Sequence, residues 1–286
     1  LIVPPDYAWC GGGPREYGMS TNLNQGCSVF LLQKAIGFFE NFARNFKRDV
    51  RNDDFFEIIE ESMPKDQVVA AIRRALPEHT LKNMTEQGGR ESALDANMAH
   101  ELLAYFWNAK ESKRQTRQIV FELVGKIRTR LAARRPKKDV YAERFHEICH
   151  FLRLAGLESA VLLLPFIVGE GILEDPERGR AAEIHKQAER LSMWLNMPIY
   201  QIRVAIAEDQ KLRRFGCIDG DLDFNNSLGG FLHGLNSEPL SSVFYTRLKG
   251  DALPWDFYGA LAEKHGPILK ELVRKRSQKR GLNILL

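Results

Sequence analysis

Two sets of residues in this chain have the types and spacing to do chemistry. His146-Glu147-Ile148-Cys149-His150 spells H-E-x-x-H. On a helix, the two imidazoles share one face and can hold zinc, with Glu147 as general base. Arg203, Lys211, Arg213 and Arg214 form the second set, cations on or just after one helical segment, able to reach phosphates, base edges or an acidic protein surface. Neither set stands alone. Charged Glu143 and Arg144 precede the histidine motif where a zinc-peptidase helix is uncharged, and no strong third ligand follows beyond Glu170. Phe145, Ile148, Cys149 and Leu152 already explain this segment as an amphipathic helix, so no metal ligand is assigned. The four cations are opposed by Glu208 and Asp209 and by Asp219, Asp221 and Asp223, whose charge repels a phosphate backbone.

The elements that must position these residues follow from apolar periodicity. From Val29 to about Ala155 the spacing is helical and strand signals are nearly absent. Phe30, Ile36, Phe38, Phe39, Phe42 and Phe46 predict one aromatic-rich helix. Shorter helices are expected over 54–62 and from Pro64 to Leu76, and longer ones over 95–107, 115–134 and 140–155. His79 to Arg90 reads as a loop ending at Gly88-Gly89. Beyond Leu157 the pattern predicts a helix over 158–171 and a second with Ile184, Ala188, Leu191 and Leu195 on one face. A third has Ile199, Ile202, Ile206 and Leu212 inward. It leads to Asp219-Gly220, a favoured two-residue turn between Ile218 and the pair Leu222 and Phe224, so a short β-hairpin is expected. That order is the order of a winged helix. A further helix over 258–276 leads into the apolar, strand-like run Gly281 to Leu286.

Composition bounds the rest. With 286 residues, 44% hydrophobic and 27% charged, the chain is ordinary for a globular protein of one to three domains. The longest apolar stretch, Ala160 to Val168, contains Pro165 and is far too short to span a bilayer, so no membrane is expected. Cys10, Cys27, Cys149 and Cys217 form no C-x-x-C pair, which fits reduced thiols and a cytoplasmic location. Charge is segregated: eleven Lys/Arg face three Asp/Glu between Lys110 and Asp139, and seven face one between Lys264 and Arg280. For the first segment, Ile119, Val120, Leu123, Val124, Ile127 and Leu131 predict a buried stripe with the charges on a solvated face.

The end of the chain carries a resemblance. Gly266 to Val273, then Lys279-Arg280-Gly281-Leu282-Asn283-Ile284-Leu285-Leu286, resembles the helix and first strand of a bacterial AAA+ ATPase module. Gly234-Leu235-Asn236-Ser237-Glu238-Pro239-Leu240 and Leu253-Pro254-Trp255-Asp256-Phe257 are similar to the linker that bacterial members place before that module. The resemblance covers roughly the last 130 residues and implies that a Walker A loop follows the terminal strand. It implies ATP and magnesium in the full-length parent and no cofactor in this chain, whose hydrolysis residues are absent. It also implies a homo-oligomer formed through the missing module, and the adenine near Asp256, Phe257, Tyr258 and Gly259.

The expectation is thus a mainly α chain. Residues 1–28 read as a poorly structured leader, with Met19 the candidate start, and 29–156 as an all-α helical domain. A winged-helix-like domain is expected over 157–235, and the linker and start of an AAA+ module over 236–286. The expected function is to recruit a protein or nucleic-acid client for an ATP-driven remodelling motor, or to regulate that motor. A winged-helix DNA-binding transcription regulator is the alternative.

Overall fold

The computed structural model describes residues 28–50, 53–79, 82, 99–110, 112–134, 138–177, 183–235, 239–244, 259, 263–268 and 271. The chain divides into two units, Leu1–Tyr245 and Thr246–Leu286. Among the described residues the fold is mainly helical, without strands. Residues 1–27 of the expected leader, the strand expected over 281–286 and Asp256, Phe257 and Tyr258 lie outside them, while Ser28, the leader's last residue, caps the first helix. In the second unit, 263–268 are helical and Gly259 is exposed with a left-handed φ of 48°.

The first unit is built around α1, Val29–Asn45. Leu31, Leu32, Ala35, Ile36, Phe38, Phe39, Phe42 and Ala43 are all buried on one broad face, with Gln33, Lys34 and Arg44 exposed on the other. So wide an apolar face needs several neighbours to cover it. Around it, or beyond its neighbours, lie a 3₁₀ turn at Asp53–Phe56 and helices α2 (Glu57–Ser62), α3 (Lys65–Ala75), α4 (Ala99–Asn108) and α5 (Lys113–Ala133). These are followed by α6 (Val140–Leu152), α7 (Gly156–Gly169) and α8 (Ile184–Leu195). The series ends with α9 (Ile199–Ala205), α10 (Lys211–Arg214), α11 (Asn226–His233) and α12 (Ser241–Phe244).

α1 packs directly on α5, α6, α7 and α8. Helices on both sides of residue 156 therefore share one core. The closest join is aromatic: the Phe42 and Trp194 rings stack with centroids 4.1 Å apart. Asn41 Nδ2 donates to the Trp194 carbonyl at 3.1 Å, and Asn45 Nδ2 to that of Met193 at 3.1 Å. Beside this join, Asp175 is buried against Arg190, whose Nε lies 3.3 Å from Asp175 Oδ2. Burial pushes the Asp175 carboxyl above the usual carboxylate range, although the Arg190 charge pulls the other way.

The expected stripe of α5 is buried at all six positions, Ile119, Val120, Leu123, Val124, Ile127 and Leu131. Its charges face outward and several pair locally: Lys113 with Asp49 at 3.1 Å, Lys126 with Glu122 at 2.6 Å, and Arg128 with Glu40 at 2.5 Å. The starts of α1 and α6 are set by side-chain caps. Ser28 Oγ accepts from the Leu31 amide, and Asp139 Oδ1 accepts from the Ala142 amide. Two ends use non-glycine residues in the left-handed region, Arg153 after α6 (φ 50°) and Asn196 after α8 (φ 51°).

Three local expectations change. The third helix of the second half is broken: α9 stops at Ala205 and the chain turns through 206–210 before α10. Ile202, Ile206 and Leu212 are buried as expected, but Ile199 is 37% exposed. The expected hairpin is reduced to one antiparallel bridge, Ile218 to Phe224. The turn is longer than two residues, and Leu222, not Gly220, takes the positive φ, 64°. The pairing stops there because Asn225 turns the chain into α11: its Oδ1 accepts from the Ser227 amide at 2.8 Å and the Leu228 amide at 3.1 Å.

Candidate partner-binding surface

α9 begins after Pro198, whose fixed φ suits the entry to a helix, and continues Ile-Tyr-Gln-Ile-Arg-Val-Ala. At 100° per residue, Ile202 and Ala205 point into the core, where α9 packs on α8 and α7. The same geometry turns Tyr200, Arg203 and Val204 to the opposite side. Tyr200 is 67% exposed and Val204 61%, with Ile199 partly exposed beside them. A lone surface apolar residue means little, but three within two turns flanking one arginine make a continuous apolar face with a cation in it.

The four cations have different surroundings. Lys211 Nζ donates to the Arg153 carbonyl at 2.7 Å and lies 3.4 Å from Glu158 Oε2. Arg213 donates to the Gly220 carbonyl at 3.2 Å and to Gln187 Oε1 at 3.3 Å. Gln187, buried on α8, donates to the same Gly220 carbonyl at 2.9 Å. Arg213 and Gln187 thus hold the Ile218–Phe224 loop onto α8. Arg203 and Arg214 are exposed and have no partner among the described residues.

The loop itself is closed by a carboxylate. Asp219 Oδ1 accepts from the Asp221 amide at 2.9 Å and the Asp223 amide at 2.8 Å, while Leu222 is buried beneath. Asp219, Asp221 and Asp223 are all exposed, as are Glu208 and Asp209. Exposed acids are thus interspersed with Arg203 and Arg214 along residues 203–223.

The histidine motif resolves as part of α6 with an apolar inner face. Phe145 and Ile148 are buried, and His146, Glu147 and His150 are exposed. His146 Nδ1 sits 2.6 Å from the Ala142 carbonyl, one turn back. Glu170 instead meets His233, 3.0 Å from its Nε2. Among the described residues, no group of three or more His, Cys, Asp or Glu is placed to hold a metal ion. Burial pushes the Cys149 thiol up, and the Cys217 thiol up to about 12, so neither is a reactive thiolate at neutral pH. No described helix is long and apolar enough to cross a membrane.

No family model, curated protein or solved structure matches the chain. The sequence singles out Arg203 but not the exposed Tyr200 and Val204, because the periodicity marks only the inward residues. The signal was available as the complement of that stripe: with Ile202 and Ile206 inward, Tyr200 and Val204 fall on the outer face. The Glu170–His233 pair was also missed, since α11 contains Gly229-Gly230 and carries a weak helical signature.

Proposed function

We propose that this chain is the partner-recruiting region of an AAA+ ATPase and that α9 is its contact helix for a protein client. In this reading α7 to α10 and the Ile218–Phe224 loop form a winged-helix-like module. ATP and magnesium are held by a module encoded after Leu286, which also assembles the ring. Asp256, Phe257, Tyr258 and Gly259 approach the adenine, and the protein works in the cytoplasm. The observation that supports a protein client is the outer face of α9. Tyr200 and Val204 offer apolar area that a phosphate backbone does not need, and an aromatic beside an arginine is a favoured anchor at protein interfaces.

The alternative, a DNA-binding regulator, is favoured by one observation, that Arg203 and Arg214 are exposed with no partner among the described residues. Their number limits it. Two phosphate contacts give a salt slope of about 2, a loss of only roughly tenfold between about 50 and 200 mM salt, against ~10³-fold or more for six contacts. Titration of a random-sequence duplex at both salts separates the readings: a drop of ~10³ or more supports DNA. The motor reading is tested by the coding sequence beyond codon 286. A Gly-x-x-x-x-Gly-Lys-Ser/Thr loop within the next ~15 codons supports it, and a stop codon there removes it.

A further inference from the structure

Three elements converge on His233, the last residue of α11. Its Nδ1 lies 2.9 Å from Tyr141 Oη, in the first turn of α6, and its Nε2 lies 3.0 Å from Glu170 Oε1, at the end of α7. The imidazole is held between rings: Tyr141 meets it edge-on at 5.7 Å and Phe166 is tilted against it at 5.6 Å. α11 is fixed in turn by Arg144, which donates to the Phe231 carbonyl at 2.8 Å. An ionised carboxylate can only accept, so the neutral imidazole carries its proton on Nε2, an assignment made from its partners. Nδ1 then offers its lone pair to the Tyr141 hydroxyl. Hydroxyl, base and orienting carboxylate stand in the order that activates a nucleophile.

We infer that Tyr141 is a base-activated hydroxyl that takes an acyl group from neutral activated esters. Tyr141 Oη attacks the ester carbonyl carbon, and the phenolic proton passes to His233 Nδ1. The new O–C bond forms as the bond to the leaving oxygen breaks, and an aryl oxide, a weaker base than the tyrosine oxygen, departs with its electron pair. The imidazolium so formed faces the Glu170 carboxylate, which stabilises it. The donor is neutral because Glu170, only partly buried, sets a negative charge beside the site. The site is independent of the α9 surface and of the motor reading.

The test treats the whole chain with 4-nitrophenyl acetate and follows each tyrosine by peptide mass spectrometry. Tyr105 and Tyr200 are internal controls, being 49% and 67% exposed while Tyr141 is partly buried. Accessibility alone ranks Tyr141 below both. Base assistance predicts that Tyr141 is acetylated on the order of 10²-fold faster than either. His233→Gln should bring Tyr141 down to the control rate with the rate at Tyr200 unchanged, and Glu170→Gln should lower it several-fold. Tyr141 labelling no faster than Tyr200 overturns the inference, as does an unchanged Tyr141 rate in a folded His233→Gln protein. The wild-type comparison decides even where a variant fails to fold.

Discussion

Asp139 serves two helix starts with one carboxylate, and removing it should be costly for so exposed a part of the fold. It caps α6 through the Ala142 amide at 3.2 Å. It also accepts from the Phe30 amide at 3.0 Å and from Ser28 Oγ at 2.8 Å, at the start of α1. Ser28 is itself the cap of α1, so its orientation depends on Asp139. Loss of the α6 cap alone costs about 1 kcal/mol. Asp139→Ala also leaves the Phe30 amide and the Ser28 hydroxyl without their partner, each partly open to water, which brings the expected total to roughly 2–3 kcal/mol. Asp139→Asn keeps an acceptor but loses the charge favoured at two helix N-termini, and should cost about 1 kcal/mol.

The acid response of this site has a fixed sign. Burial raises the Asp139 pKa, but hydrogen bonds from Phe30, Ser28, Ala142 and Tyr141 together outweigh it, and the folded value lies below the ordinary 3.8. A depressed carboxyl contributes stability above its unfolded pKa and loses it as pH falls through the folded one. The gap between wild type and Asp139→Asn should therefore be full at pH 7 and close below the ordinary carboxylate range. Urea unfolding followed by tryptophan fluorescence measures it, since Trp107 and Trp194 are buried. With a slope of about 2–3 kcal/mol/M, Asp139→Ala should move the midpoint by roughly 1 M. A shift under ~0.2 M at pH 7 would refute the shared-cap argument, and so would strict additivity with Ser28→Ala.

Arg153 holds φ 50° after α6 and gains nothing there from its side chain that is described, so Arg153→Gly should raise stability by about 0.5–1 kcal/mol in the same assay. Gly234 ends α11 at φ 75°, and a Cβ there would come within 2.2 Å of Arg144 Nη1. The guanidinium can swing away, so Gly234→Ala should cost about 1–2 kcal/mol, from left-handed strain and the bond to Phe231. Trp194→Ala removes the ring stacked on Phe42 and should cost about 3–5 kcal/mol, seen as a lower melting temperature by circular dichroism. Cys217, buried with its thiol pushed up to about 12, should resist iodoacetamide in the native state and react fully in urea.

How much of this was legible depends on the scale of the signal. α1, α3, α5 and α6 were readable because their apolar stripes run for three turns or more, long enough for periodicity to exceed noise. The break between α9 and α10 was not, because Ile202, Ile206 and Leu212 keep their inward positions across the gap. α11 was hidden by Gly229-Gly230, although its capping residues, Asn225 before and Gly234 after, were in view. The Asp219 turn followed a reliable local rule, but Asn225 ended the pairing before a second bridge formed, and Leu222 was drawn into the core at the expense of its φ.

The site was less legible than the fold, for a different reason. Arg203, Lys211, Arg213 and Arg214 look equivalent in sequence, all basic and all near one helix. Their roles are set by what the chain brings opposite them: the end of α6 for Lys211, Gln187 and the Gly220 carbonyl for Arg213, and nothing described for Arg203 and Arg214. A carbonyl acceptor of this kind leaves no trace in composition, because every residue supplies one. Counting cations therefore overstates the charge available to a phosphate backbone by a factor of two here. The apolar outer face of α9, which composition does not weigh at all, is what shifts the reading toward a protein partner. The two sets of residues also differ in what is lost with them. Lys211→Ala and Arg213→Ala should loosen the loop without regard to any partner, whereas Tyr200→Ala and Val204→Asp, at residues that support nothing inside, should leave the fold intact and remove only what binds to it.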